Sequence, residues 1–202
     1  MLHDGVMLVI VRDYAVIFGI VACSAFLYIA LLYFAASHFQ PKVFARSVRN
    51  MMPATIAGFG TCSSAAAMPL TILGTEKNSK DPDIARSIIP ATVNIHLIGD
   101  CFAIPIFAFA VMKSFGFPEP TLVNYLIFAL YFVLAKFSVA AVPGGGILVM
   151  LPILQTYLGF TAEMLTLITA LYILFDPVIT TANVLGNGAF AMGIGNLISN
   201  RK

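Results

Sequence analysis

The sequence predicts an all-α membrane protein in which two re-entrant helical hairpins accompany spanning helices. The 202 residues are 60% hydrophobic and only 10% charged, whereas soluble domains are about 25% charged. The chain therefore has too little polar surface for a soluble protein. Two of its apolar segments are also interrupted by proline, glycine and small polar residues. Because irregular backbone at membrane depth is tolerated only where it is buried in protein or lines a polar cavity, these interruptions predict hairpin tips.

The first unit, residues 1–50, is predicted to be a spanning helix followed by a basic connector. Residues 14–37 carry no charge and exceed the length of about 20 apolar residues that a spanning helix needs. The apolar run before them, 5–11, is too short to span alone and is interpreted as the end of another element. Arg12 and Asp13 interrupt the N-terminal apolar sequence, which argues against a signal peptide.

The second unit, residues 51–112, holds the first predicted hairpin. Residues 51–74 are apolar but are broken by prolines, glycines and a run of small residues, too often for a plain spanning helix. They predict a hairpin with its tip at Ser63 and Ser64. The other interpretation of these serines is that they bond back to the backbone of an ordinary helix. The polar stretch 75–86 that follows predicts a loop.

A spanning helix is predicted over residues 87–112, and its middle carries three polar side chains. Asn94, His96 and Asp100 lie inside an apolar run, and at about 100° per residue His96 and Asp100 share one helix face. Ionisable groups within a membrane are costly and by default suggest a functional site. The alternative is a paired structural cluster that faces other helices. A metal site is disfavoured because two ligands do not make one.

The third unit, residues 113–202, begins with a short loop over 113–121 and continues into the second predicted hairpin. Its tip is Val142–Gly146, because a proline followed by three glycines cannot continue a helix without a large penalty. Apolar sequence flanks this tip on both sides. Lys136 precedes it by six residues, as a cation at membrane depth.

The last predicted element is a helix over 162–198 with a polar stripe. Asp176, Thr180, Asn183 and Asn187 follow i, i+4, i+7, i+11 spacing, which places them on one helix face. A polar stripe on an apolar helix should face a bundle interior or water. Contact with a ligand is favoured over a role in holding helices together.

The distribution of Lys and Arg predicts how the chain is oriented. The connectors 40–50 and 75–86 and the C-terminal tail hold three, three and two of the eleven Lys and Arg residues. Because cytoplasmic loops carry an excess of these residues, both connectors and the C-terminus are predicted to be cytoplasmic in a bacterial inner membrane, with 113–121 outside. The two hairpins then enter from opposite sides, each followed by a spanning helix. This inverted repeat is typical of a transporter core.

Four motifs of the chain, in order, resemble those of a known family. They are Thr61–Ser64 with Met68–Thr71, Ala91–Asn94, Val142–Gly146, and Asp176 with Asn183–Asn187. They resemble parts of the dicarboxylate/amino acid:cation symporters, which include the glutamate transporters. In order, the parts are the serine-rich first hairpin, the lead into the Asn-Met-Asp-Gly-Thr motif of the seventh helix, the second hairpin tip and the eighth helix. The resemblance covers residues 14–202. Because the family's chain is longer, it implies scaffold helices beyond this sequence, in the same or another chain.

The resemblance also implies roles for individual residues. The residues of the inner and outer gates that enclose a substrate would be Ser63, Ser64, Val142, Pro143, Gly144, Gly145 and Gly146. Asp176 would bind the amino group of the substrate and Asn183 its main carboxylate, while Thr180 lines the same site. Free backbone N–H groups at helix breaks suit a carboxylate. The family moves this block as a rigid body, an elevator, against a homotrimeric scaffold.

Three departures from the family bear on the substrate. Ile179 stands where the acidic-substrate transporters have an Arg, and Cys62 stands where some members have one. Ile98 stands where a Thr helps to hold the distal carboxylate. Burying a second substrate carboxylate against two Ile with no cation would be costly. A small neutral amino acid is therefore the expected substrate.

Further departures bear on the coupling ion. The candidates for ion or proton coupling are Asn94, His96, Asp100, Lys136 and Asn187. His96 and Asn187 stand where the family holds sodium through Asp carboxylates, the ligands that a hard cation prefers, and Lys136 falls near a segment whose carbonyls form another sodium site. Sodium is the coupling ion implied by the resemblance. The departures, however, predict a block that is not coupled to sodium in the usual way. A fixed ammonium at Lys136 could occupy the place of a bound cation. A proton carried by His96, Asp100 or Lys136 is the alternative to sodium, since His titrates near neutrality.

Two classes of function remain after these observations. The first is a secondary active transporter, a symporter core for a small amino acid, in contact with membrane lipids. The second is a divergent or truncated membrane fragment, or an accessory subunit, that keeps the fold without transporting. An enzyme is disfavoured because no phosphate-binding loop or catalytic arrangement is present, and no cofactor is expected. A net charge of +2 is too small to suggest nucleic acid, and three Cys argue against a disulfide framework and are interpreted as small buried residues.

Overall fold

The fold is an all-helical bundle, as predicted. A computed structural model describes the backbone from Leu2 to Ser199 and the side chains of Arg12 and residues 14–198. Within that part of the chain there are eight helices and no strand. They are α1 (Leu2–Ala36), α2 (Pro41–Thr61), α3 (Ser64–Glu76), α4 (Pro82–Thr92), α5 (Ile98–Ser114), α6 (Leu122–Lys136), α7 (Gly145–Leu158) and α8 (Ala162–Ser199). Tyr14–Ala36 and Ala162–Ile198 are long and apolar enough to cross a membrane, judged by length and composition.

Helix α1 is longer than predicted. It begins at Leu2, so residues 5–11 are the start of this helix and the interpretation of them as the end of another element is wrong. The helix packs against α8 and α5. It buries a stripe of side chains at spacings of seven and four residues. These are Tyr14, Val21, Ala25, Ile29 and Tyr33.

Helices α2 and α3 form the first hairpin, with the break at the predicted serines. Cys62 adopts the left-handed conformation at φ 50° and Ser63 is extended, so the chain turns between the helices. The two helices approach closely at Gly74, where an added Cβ would meet the backbone carbonyl of Asn50. The basic connector over 40–50 is largely helical, since α2 begins at Pro41.

The predicted loop over 75–86 is shorter in the structure. Helix α3 continues to Glu76 and α4 begins at Pro82, capped by the side chain of Asp81, so only 77–81 lies between helices. Capping by a residue before a proline explains why helix begins inside this polar stretch. Arg86 in α4 bonds Glu76 at 2.7 Å, and this carboxylate raises the pKa of the Arg86 guanidinium.

The predicted spanning helix over 87–112 is two helices. Helix α4 ends at Thr92 and α5 begins at Ile98, so His96 lies in the break and does not share a helix face with Asp100. Distant elements hold this break open. The Gly99 N–H donates to the Asn183 side chain at 2.7 Å, and a Cβ on Gly99 would clash with the Ile179 carbonyl.

Helices α6 and α7 form the second hairpin. Lys136 ends α6, and α7 begins within the predicted tip, at Gly145. Gly144 precedes it at φ 70°, a conformation that favours glycine. A Cβ on Gly145 would clash with the Ala140 carbonyl. The three consecutive glycines therefore allow a tight return of the chain.

Helix α8 is the centre of the bundle. It contacts α1, α2, α3, α4, α5 and α7, and nearly every residue from 179 to 192 is buried. Two hydrophobic clusters lie on either side of it, one toward α5 and α7 and the other toward α1 and α2. The three cysteines are free, and Cys23 and Cys101 are exposed. The interpretation of the cysteines as buried residues is wrong for these two, because they lie on outward helix faces.

Candidate functional site

The two hairpin tips meet at the Ala141 carbonyl. It accepts one hydrogen bond from the Ser63 hydroxyl at 2.8 Å and another from the Ala65 N–H at 3.1 Å. Ser63 also caps α3, since its Oγ accepts from the Ala66 N–H at 3.1 Å. Ser63 and Ser64 are both buried. The first turn of α3 and the loop of the second hairpin are thus joined through a single peptide carbonyl.

The break between α4 and α5 joins the same loop. The Ala141 N–H donates to the Asn94 side chain at 2.9 Å, so three non-helical segments converge on Ala141. Sequence reasoning missed this residue because an alanine carries no chemical signal. Only its place just before the Pro-Gly run could have indicated it.

Asp176 faces the second hairpin tip from α8. Its Oδ2 accepts from the Gly144 N–H at 2.9 Å, and its Oδ1 accepts from the Thr180 hydroxyl at 3.0 Å. Asp176 is only 5% exposed. A buried carboxylate needs hydrogen-bond donors or a cation, and both oxygens keep a lone pair for a further donor. The carboxylate is therefore able to bind an ammonium group.

Asp100 forms the centre of a second polar cluster. The Tyr172 hydroxyl donates to its Oδ1 at 2.5 Å, and the Asn183 amide donates to its Oδ2 at 3.2 Å. Lys136 Nζ lies 3.6 Å from the Oδ1. Sequence reasoning named Asp100, Asn183 and Lys136 but missed Tyr172. That residue lies four positions before Asp176 and extends the polar stripe of α8 by one turn, which is the signal that could have found it.

A small cavity lies between the two clusters. Its volume is about 10 Å³, room for about one water molecule. The lining residues are Cys62, Ser64, Leu97, Asp100, Val139, Ala140, Ala141, Val142, Gly146, Tyr172, Asp176, Thr180 and Asn183. Within the second tip, Val142 and Pro143 are exposed, Gly144 is half-buried, and Gly145 and Gly146 are buried. The tips are closed over each other, so an amino acid fits only if a tip moves.

Two of the expected coupling residues lie away from this cavity. Asn187 accepts from the Thr92 hydroxyl at 2.6 Å and holds the end of α4 against α8. The His96 ring stacks on Phe190 with 4.5 Å between centroids, and its buried Nδ1 has no hydrogen-bond partner in the described part of the chain. The structure brings together Asn94, Asp100, Lys136, Asp176, Thr180 and Asn183, but not His96 or Asn187.

The two isoleucines expected beside a second substrate carboxylate also lie elsewhere. Ile179 lines a space shared with Val21 on α1, and Ile98 packs against Gly186 on α8. Neither lines the cavity at Asp176.

Comparisons with known proteins match nearly the whole chain. The sequence model of the sodium:dicarboxylate symporter family matches residues 3–197. An excitatory amino acid transporter of Onchocerca volvulus is 29% identical over 181 residues, 86% of this chain and 34% of that protein. Excitatory amino acid transporter 1 of Rattus norvegicus is 30% identical over 166 residues, 81% of this chain and 29% of that protein. This chain thus spans about a third of the length of these curated relatives.

Proposed function

Because this chain belongs to the sodium:dicarboxylate symporter family, a family of membrane transporters and not of enzymes, we propose that it forms the substrate-binding core of a secondary amino acid transporter. The observation that carries the proposal is the buried Asp176 carboxylate. It lies where the two hairpin tips close, and it accepts a hydrogen bond from Gly144 of the second tip. The excitatory amino acid transporters among its relatives are consistent with an amino acid as the substrate.

The bonds of the closed tip indicate the chemical class of the substrate. One loop presents a donor, the Gly144 N–H, to Asp176, and an acceptor, the Ala141 carbonyl, to Ser63 and Ala65. An α-amino acid presents the same pair: an ammonium donor and a carboxylate acceptor. When the tip opens, Asp176 is released to bind the ammonium group. The Ser63 hydroxyl and the Ala65 N–H, at the N-terminus of α3, are released to bind the carboxylate.

The charges around the cavity favour a neutral side chain. Asp100 and Asp176 both line the cavity, and no Arg or Lys is among its described lining residues. The nearby ammonium of Lys136 is paired with Asp100. A second substrate carboxylate would therefore be buried near two carboxylates without a cation of its own, which is unfavourable. Small neighbours such as Ala140 and Gly146 favour a small substrate, such as alanine or serine.

Binding measurements on the purified chain test this proposal. Asp176→Asn keeps the shape of the side chain and removes its charge. We expect it to weaken the binding of radiolabelled alanine or serine about 10- to 100-fold, since hydrogen bonds to charged groups contribute about 1.5–3 kcal/mol. Thr181→Val is the matched control, because Thr181 is a buried neighbour on α8 whose hydroxyl has no partner among the described residues. Equal binding by wild type and Asp176→Asn would favour the non-transporting accessory subunit. Aspartate binding as tight as alanine binding would contradict the neutral substrate.

The coupling ion is a separate part of the proposal. The family's description names sodium, and the alternative is a proton carried by Asp100 or Lys136. Asp100 is buried and lines the cavity, and the buried Lys136 pairs with it, which supports that alternative. His96 stacks outside the cavity. Uptake into vesicles under an inward sodium gradient, compared with an inward proton gradient, separates the two ions. Accumulation that requires sodium and ignores the proton gradient would contradict proton coupling.

Transport by an elevator motion also needs a surface for the block to move against. Helix α6 exposes apolar side chains along one face, and they have no cover within the described chain. They are Leu122, Val123, Leu126, Leu130, Val133 and Leu134. We propose that membrane lipid and scaffold helices of the same or another chain cover this face, in a homotrimer. Crosslinking in membranes followed by mass measurement tests the assembly, and a species that stays monomeric would contradict it.

A further inference from the structure

A buried ion pair joins the second hairpin to α5 at the edge of the candidate site. Lys136 Nζ lies 3.6 Å from Asp100 Oδ1, and the two residues are 5% and 1% exposed. Lys136 is the last residue of α6, whereas Asp100 lies in the first turn of α5. Of the two residues, only Asp100 lines the cavity.

Three helix ends meet around this pair in favourable orientations. The C-terminus of a helix favours a cation and the N-terminus favours an anion. Lys136 lies at the C-terminus of α6, and Asp100 lies at the N-terminus of α5. Asp100 is also close to the N-terminus of α7, as shown by Gly146, where an added Cβ would clash with Oδ1 of Asp100. The backbone thus favours a negative charge at Asp100 and a positive charge at Lys136.

The two members of the pair differ in their hydrogen bonds. Each oxygen of Asp100 accepts from a neutral donor, Tyr172 or Asn183. Lys136 Nζ makes no hydrogen bond to any residue that the structure describes. Its other close partner is the Phe132 ring, 5.1 Å from the Nζ to the centroid. The ammonium therefore contributes charge and not a hydrogen-bonded tether, and a buried carboxylate needs such a charge because ionised groups are costly away from water.

We propose that the Lys136 ammonium is a resident counter-ion, which neutralises Asp100 in place of a mobile monovalent cation. Carboxylate, hydroxyl and amide oxygens, of the kind that Asp100, Tyr172 and Asn183 supply, are the ligands that hard cations prefer. The name of the family includes sodium. With the Lys136 ammonium in the place of a cation at Asp100, the second hairpin closes without a sodium ion bound to that carboxylate. The ion pair is a property of the fold, and only its consequence for transport rests on the proposed function.

Removal of the ammonium should create a need for sodium. The experiment measures the melting temperature of the purified chain in detergent, in about 100 mM sodium chloride and in choline chloride of equal concentration, without substrate. Wild type and Lys136→Arg keep the positive charge, so the melting temperature of each should be the same in sodium chloride as in choline chloride. Lys136→Gln should melt lower in choline and regain at least about 3 °C in sodium, because a ligand that binds the folded state stabilises it.

The double variant Asp100→Asn/Lys136→Gln distinguishes a counter-ion from a structural tether. It removes both charges, so it should lose the sodium response and fold in both salts. A plain tether would make Lys136→Gln equally unstable in sodium and choline, and that result would overturn the inference. Two other results would also overturn it: a wild type that sodium stabilises more than choline does, or a Lys136→Gln chain that sodium cannot restore to a folded state. Because no amino acid is added, these outcomes are independent of whether the chain binds one.

Discussion

The closeness of Gly146 to the Asp100 cluster leads to a measurable prediction. Gly146 lies in the first turn of α7, and a Cβ there would overlap both the Tyr172 hydroxyl and Asp100 Oδ1. These two atoms are hydrogen-bonded to each other and buried, so neither can yield as a flexible side-chain end would. Gly146→Ala must therefore separate the cluster or shift the start of α7.

The cost of this substitution can be estimated from two losses and one gain. Overpacking a buried site costs about 1–3 kcal/mol, and weakening the bond between Tyr172 and the charged Asp100 adds about 1.5–3 kcal/mol. Replacing a helical glycine by alanine returns about 0.5–1 kcal/mol. The net loss should be about 2–5 kcal/mol, or a fall of about 4–20 °C in melting temperature for a chain of this size.

Thermal unfolding in detergent measures this loss, with Gly60→Ala as the matched control. Gly60 also lies in a helix beside a hairpin tip, but no heavy atom lies within 4 Å of the position that a Cβ on it would take. The control should therefore be neutral or slightly stabilising. A melting temperature for Gly146→Ala that is equal to that of Gly60→Ala would refute the close approach of α7 to Asp100.

Two further predictions concern the first hairpin and the orientation of the chain. Ser63→Ala removes both the cap of α3 and the hydrogen bond to Ala141, so it should cost about 1–3 kcal/mol of stability. It should also increase the rate at which a thiol reagent labels a cysteine placed at Val142. Unchanged labelling would contradict the contact between the tips. The orientation is tested with single cysteines in a chain from which the native cysteines are removed. Ser79→Cys should react with a membrane-impermeant thiol reagent only after the cells are opened, whereas Glu119→Cys should react in intact cells. The reverse pattern would contradict the orientation predicted from Lys and Arg.

The sequence was sufficient to predict those breaks that local chemistry encodes. The Pro-Gly run before α7 and the serines before α3 disfavour continuous helix by themselves, and both breaks lie where they were predicted. The spacing of the polar residues on α8 likewise predicted their common face, because α8 continues unbroken through Asp176–Asn187 even with Pro177 inside it. These features depend on residues near one another in the chain.

The break between α4 and α5 could not be predicted in this way. Residues 93–97 contain neither proline nor glycine, so nothing local opposes a helix there. The break depends on partners 47 and 84 positions away, through the bonds of Asn94 to Ala141 and of Gly99 to Asn183. The same break separates His96 from Asp100 and leaves Asp100 to pair with Lys136. A local helix rule therefore placed His96 and Asp100 on one helix face, whereas the structure separates them by the break.

The closed tip and the buried ion pair together bear on how substrate binding and hairpin closure are linked. The second hairpin contacts the rest of the site through Ala141 and Gly144, whose backbone bonds occupy the groups proposed to bind the amino acid. Under the proposed function, an amino acid replaces those bonds, and its apparent affinity is lowered by the free energy needed to open the tip. Lys136, which ends α6 just before the loop of the same hairpin, pairs with Asp100 of α5. Under the proposed function, we expect the end of α6 to remain fixed by this pair while Ala141 and Gly144 of the adjoining loop exchange their hydrogen bonds for those of the amino acid.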